Sequence, residues 1–154
     1  MFILIIFSYL MMGITTVLLF LTGYQGLAKT DIIGLTHPLL GLLTVLVFAF
    51  TETFTLTFIS AFIKSIKQTV NEDSSAILSK LRSTVYRNGL ISIVWITTVF
   101  LLGGAADTNL VSPFLHGTMF FLGLIHYLYI LKLQYQAIEH CVLLTNKIII
   151  SEDL

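Results

Sequence analysis

Of 154 residues, 56% are hydrophobic and 10% are charged, where soluble domains run at about 45–50% and about 25%. Eight Lys and Arg with eight Asp and Glu cannot cover the surface of a soluble domain of this size, and mean hydropathy is +0.97. An ordinary soluble enzyme, a disordered chain and a collagenous one are therefore excluded, and the balanced charge gives no reason to expect nucleic acid as a partner. The lone cysteine, Cys141, cannot close an internal disulfide. The composition fits an integral membrane protein whose main partner is the lipid bilayer.

Four apolar stretches reach the roughly 20 helical residues that a bilayer core of about 30 Å demands. They predict helices at about residues 2–22, 36–66, 88–104 and 112–145, with a connection at about 67–87, in a single membrane domain, 1–154. The first stretch lacks a basic leading segment and a small-x-small cleavage site, and it reads as a retained spanning helix. The second opens at Thr36-His37-Pro38. The third ends at the Gly103-Gly104 break, and the fourth starts at Ser112-Pro113, an N-cap followed by proline in the first turn. Backbone amides in lipid must be satisfied within the segment, so these are helices. None alternates as a barrel strand would.

Short links at 24–34 and 103–111 tie the helices into two tandem hairpins of an all-α, four-transmembrane-helix up-down bundle. The middle connection is different. It carries Lys64, Lys67, Glu72, Asp73, Lys80, Arg82 and Arg87 around a loop-like Asn71-Glu72-Asp73-Ser74-Ser75. Ile63, Ile66 and Val70 on one side, and Ile77, Leu78, Leu81 and Val85 on the other, give helices 2 and 3 amphipathic extensions beyond the membrane. Helix 4 leaves the bilayer in the same way over 132–147. Seven of the eight Lys and Arg lie in this connection and the C-terminal tail, and Lys29 alone lies opposite. The positive-inside rule puts both termini and the middle connection in the cytoplasm.

The halves resemble each other. Thr15-Thr16-Val17-Leu18 parallels Thr97-Thr98-Val99-Phe100, and His37-Pro38-Leu39-Leu40-Gly41 parallels His116-Gly117-Thr118-Met119-Phe120. The second match places His37 and His116 at similar depth, near the non-cytoplasmic face, on helices expected to face one another across the core.

Ionisable groups inside spanning segments are costly and mark function. Here they are His37, Glu52, His116, His126 and, at the inner boundary, Lys132. Two imidazoles from facing helices are what a haem iron takes as axial ligands. The sequence therefore predicts one haem b between helices 2 and 4, ligated by His37 and His116, with Gly41, Gly117 and Gly123 making room and Tyr127 on the same face. At 100° per residue His116, Phe120, Gly123, Tyr127 and Ile130 form one stripe, and His37, Gly41, Thr44, Phe48 and Thr55 another. In this the chain resembles the broad class of four-helix membrane cytochromes b with bis-histidine ligation. The likeness is architectural, since no Cys-x-x-Cys-His attachment motif is present. An alternative metal site adds Asp31 or Asp107 to the histidines.

His126 lies ten residues beyond His116, with no histidine at its depth elsewhere. It is expected to make an interhelical hydrogen bond to a Thr or Tyr, with a quinone contact as the sharper alternative. Glu52, in Thr51-Glu52-Thr53-Phe54-Thr55, falls in the inner leaflet and is suited to carrying protons. Lys132 is near its depth but projects about 160° from His116, against about 60° for Glu52 from His37, which points Lys132 outward.

Three functions follow as expectations. The first is a membrane subunit of an electron-transfer complex, relaying electrons through haem to or from a quinone or partner subunit. The second is a cofactor-free structural subunit of a larger complex. The third is a small proton-coupled transporter using Glu52. A stand-alone enzyme is not expected, because phosphate loops, nucleophile elbows and His-Glu-x-x-His motifs are absent.

Overall fold

Residues 2–32 and 34–152 are described in the computed structural model, with side chains through Ile148. Met1, Ile33, Asp153 and Leu154 of the single-domain reading lie outside the described residues. Four helices follow in order, α1 (Phe2–Ala28), α2 (His37–Ile66), α3 (Glu72–Asp107) and α4 (Pro113–Glu152). All four are long and apolar enough to cross a membrane. They contain 27, 30, 36 and 40 residues, so at 1.5 Å per residue α3 and α4 run to about 54 and 60 Å.

The ends differ from expectation for local reasons. Helix α1 continues through Gly23 and Gly26 and stops where Lys29 turns left-handed at φ 52°. The loop expected at Asn71–Ser75 is instead a helix start. The Asn71 side chain accepts the Ser74 N–H at 3.0 Å, and Glu72 and Asp73 occupy the first turn, where acidic groups complement the dipole. Helix α3 also runs past Gly103-Gly104 to Asp107 before Asn109 turns left-handed at φ 59°. At α4 the expected cap is present, with the Phe114 N–H donating to Ser112 Oγ at 3.3 Å. At α2 Thr36 makes no side-chain cap bond, and Pro38 alone marks the start.

Side-chain pairs fix the packing. Thr15 bonds Thr51 at 2.8 Å and Thr22 bonds Thr44 at 2.7 Å, so α1 and α2 run in opposite directions. The Trp95 indole N–H donates to the Met119 carbonyl at 3.0 Å, joining α3 to α4. Gly89 lies under Leu56, joining α3 to α2. Helix α2 also touches α4 across the bundle. The outward faces carry Val17, Leu46, Val94, Phe121 and Ile125, all exposed, which is the surface a lipid-embedded protein presents.

The interior has two apolar clusters with a polar layer between. One contains Leu56, Ile59, Ile63, Leu78, Val85 and Ile138. The other contains Leu19, Val45, Phe48, Ile96, Phe120 and Tyr127. Thr15, Thr51, Glu52, Thr55, Ser92 and Gln134, all fully buried, lie between them in sequence on each helix.

The repeat is visible in the burial pattern. Thr44, Val45, Phe48, Thr51, Thr55, Phe58, Ile59 and Phe62 are buried on α2. The residues 79 positions on, the His37-to-His116 spacing, are Gly123, Leu124, Tyr127, Ile130, Gln134, Ala137, Ile138 and Cys141, and they are buried too. For α1 and α3 the burial register is set by Ser8, Met12, Thr15, Leu19 and Thr22 against Val85, Gly89, Ser92, Ile96 and Val99, a spacing of 77. The Thr15-Thr16 match to Thr97-Thr98 is thus out of register by five positions, because Thr97 is exposed and Thr15 is core. Letters matched; faces did not.

Glycines divide into packed and open ones. A Cβ on Gly89 would meet the Leu56 side chain at 2.6 Å, whereas one on Gly13 meets nothing within 4 Å. Gly89→Ala should therefore destabilise the protein by about 1–3 kcal/mol through overpacking. Gly13→Ala should stabilise it by about 0.5–1 kcal/mol. Unfolding of both variants by denaturing detergent, followed by circular dichroism, checks the opposite signs.

Candidate functional site

The structure brings His37 and His116 together. Their ring centroids are 6.3 Å apart with planes inclined at 74°. Each follows an interhelical turn and lies against a glycine of the preceding helix. A Cβ on Gly26 would stand 3.1 Å from His37 Cε1, and one on Gly103 would stand 3.1 Å from His116 Cε1. The glycines therefore seat the imidazoles, and the two seats are equivalent in the repeat. His116 Nδ1 lies 3.1 Å from the Val99 carbonyl. A carbonyl only accepts, so Nδ1 is the donor of this contact, and the neutral tautomer that makes it has its lone pair on Nε2. His37 Nδ1 is buried without a partner.

Phenylalanines flank the pair. Phe120 packs on Gly23, whose Cβ would meet its ring at 2.7 Å, and Phe100 stands 3.8 Å from the corresponding point on Gly41. The repeat relates these contacts with the large and small partners exchanged: Gly23 corresponds to Phe100, and Phe120 to Gly41. Of the glycines expected beside the ligands, Gly41 faces Phe100, and Gly117 has nothing within 4 Å of its built Cβ. Gly123 backs onto Trp95 at 2.8 Å. Tyr127 is fully buried, packs edge-on against Phe48 at 5.4 Å, and donates its hydroxyl to the Met12 carbonyl at 3.3 Å. Both predicted stripes face inward: Phe120, Gly123, Tyr127 and Ile130 of one, and Thr44, Phe48 and Thr55 of the other, are buried.

Glu52 is the second centre. It is fully buried, and its Oε2 accepts from Gln134 Nε2 at 2.8 Å. Lys132 is exposed, as its angle requires. Gln134 is the functional candidate that sequence reasoning passed over. An uncharged amide in a spanning segment carries the same signal as an ionisable group, because hydrocarbon leaves it no alternative partner. Gln25 belongs with it: nearly fully buried, it donates to the Leu35 carbonyl at 2.6 Å.

His126 makes no interhelical bond. Its Nδ1 is buried without a partner, and its ring neighbour is Tyr129 on its own helix at 6.4 Å. Cys141 is buried in the inner apolar cluster. Among the described residues no three His, Cys, Asp or Glu side chains gather as a metal site, so neither Asp31 nor Asp107 completes one with the histidines.

Fold and site together define an all-helical protein with four membrane-compatible helices, a histidine pair at one end and a buried Glu–Gln pair within. Comparison with protein-family models, curated proteins and solved structures finds no match.

The hydroxyl pairs of the α1–α2 seam are direct and short, so their contribution is measurable. Thr15→Val and Thr51→Val should each cost about 1 kcal/mol, and the double-mutant cycle should give a coupling of about 0.6 kcal/mol or more. Additive single effects in detergent unfolding would show the contact to be energetically silent.

Proposed function

We propose that the protein is a membrane subunit of an electron-transfer complex and that His37 and His116 ligate one haem b iron between α2 and α4. The observation that carries this reading is the 6.3 Å separation of the two rings. Two imidazoles that held one iron would each approach it by a ring nitrogen at about 2 Å, and this pair lies close enough together to do so. The Val99 carbonyl supports the same reading, because a ligand histidine is oriented by a hydrogen bond from its other nitrogen. Bound haem supplies one-electron chemistry at its iron. The chain's own residues would hold the two imidazoles, with the Val99 carbonyl orienting His116 and the Phe48–Tyr127 pair keeping water out. A porphyrin is wider than an imidazole pair, so binding requires Phe100 and Phe120 to swing away from Gly41 and Gly23. Their present packing favours the second reading, a cofactor-free structural subunit.

In both readings the four helices cross the bilayer as an up-down bundle, with both termini and the α2–α3 turn cytoplasmic and the histidine end opposite. The distribution of Lys and Arg supports this orientation, and the lengths of α3 and α4 support cytoplasmic extensions.

Absorption spectra of protein produced with ample haem separate the readings. The haem reading expects a Soret band and a sharp reduced α band, both lost in His37→Ala and in His116→Ala. A featureless spectrum promotes the structural reading, and bands that survive both substitutions refute the ligands. Orientation is checked with single cysteines in a Cys141→Ser background. In inside-out vesicles Lys67→Cys should react with an impermeant maleimide and Thr108→Cys should not.

A further inference from the structure

Glu52 and Gln134 each leave one side-chain oxygen unsatisfied. Glu52 Oε1, Gln134 Oε1, Thr55 Oγ1 and Ser92 Oγ are all buried without a hydrogen-bond partner. All four residues have no solvent exposure. Thr55 follows Glu52 by one helical turn on the same face. Gln134 stands at the position on α4 that Thr55 holds on α2. The contacts of Gly89 with Leu56 and Gly41 with Phe100 set the α2–α3 register and put Ser92 level with Thr51 and Glu52. The four unpartnered oxygens therefore lie at one level of the bundle, on three helices, beside the Gln134 amide that holds Glu52.

Its charge is also incomplete. The side chain that compensates Glu52 is the neutral amide of Gln134, and no cationic group among the described residues offsets the carboxylate. The titratable group facing it is Tyr127 of α4, whose hydroxyl is engaged with Met12. At this level α1 offers Thr15 and α3 offers Ser92, and neither helix has a charged residue there. An isolated ionised carboxylate in an apolar interior costs many kcal/mol, so such groups are found neutralised or paired. Hard oxygen donors with one formal negative charge match a small monovalent cation.

We propose that the cluster formed by Glu52, Gln134, Thr55 and Ser92 binds one small monovalent cation, a proton or a sodium ion, which supplies the positive charge the buried carboxyl group lacks. Gln134 is the positioning residue: its N–H holds Oε2 and leaves Oε1 for the cation. On the α1–α2 seam the Thr15–Thr51 hydroxyl pair lies level with the site, and Thr22–Thr44 lies about two turns nearer the histidine end. This inference is independent of the haem reading and survives its failure.

A hydrophobic carbodiimide, which adds only to protonated carboxyls, tests it on the full chain in phosphatidylcholine nanodiscs, with the adduct located by peptide mass spectrometry. Wild type should be modified at Glu52, and Glu52→Gln should not. For a proton site the rate should fall about tenfold per pH unit above the midpoint and ignore sodium. For a sodium site, sodium at about ten times its dissociation constant should leave roughly one tenth of the sites reactive, with potassium inert. Gln134→Leu should shift either midpoint while leaving the modification on Glu52, a change that lost packing alone would not produce. The proposal is overturned if Glu52 is unmodified at every pH with sodium absent, or if its modification is indifferent to both pH and sodium. Infrared difference spectra of the carboxyl carbonyl on pH change test the same site without a reagent. A wild-type spectrum matching that of Glu52→Gln overturns the proposal.

Discussion

In lipid, moving an apolar side chain from solvent to protein gains little, because acyl chains are as apolar as leucine. A bundle must then be specified by close backbone approach and by polar pairs that hydrocarbon cannot satisfy. Both devices are present, and they are unevenly shared. The α1–α2 seam is joined by Thr15–Thr51 and Thr22–Thr44. The repeat carries those positions on the α3–α4 seam to Ser92 with Ile130 and Val99 with Gly123, which cannot bond. That seam relies on Gly123 receiving Trp95, whose indole is anchored on Met119. One hairpin is held by hydroxyls and the other by a ring in a notch.

The pseudo-twofold relation explains why α2 and α4 meet across the bundle. His37 with His116 and Phe48 with Tyr127 are pairs of equivalent positions that touch each other, so the axis passes between these helices. A ligand on such an axis sees the same group from both sides, and the histidine pair has that character. Glu52 does not. Its counterpart on α4 is Leu131, and the partner it finds is Gln134, three positions further on. The repeat is thus kept at the histidine pair and broken at Glu52.

The sequence was most legible where lipid physics is strict. Span number, the inward stripes of His116–Ile130 and His37–Thr55, and the outward Lys132 follow from periodicity alone. Helix ends were less legible, because Asn71-Glu72-Asp73-Ser74-Ser75 is as good a capped first turn as it is a loop, and because α1 and α3 run on through glycines, of which Gly26 and Gly103 lie against His37 and His116. The Thr-Thr match between halves misled, since an exposed Thr97 and a buried Thr15 look alike as letters. The proximity of His37 and His116 was readable from depth and stripe. Gln134 was not, because its meaning depends on a carboxylate contributed by another helix.

Whether the two centres act as one is a question of distance. Fifteen residues separate His37 from Glu52 along α2, about 22 Å at 1.5 Å per residue. A unit charge added at the histidine end would change the energy of a cation at Glu52 by about 0.8 kcal/mol at an effective dielectric of about 20. That corresponds to roughly a fourfold change in affinity. The Phe48–Tyr127 pair and the apolar cluster around it lie between the centres. Were the histidines to hold haem as proposed, electron arrival there would bias cation binding at Glu52 without compelling it. Obligate coupling would require α2 or α4 to move, and the contacts that such a movement must break are those of Tyr127 with Met12, Thr16 and Phe48.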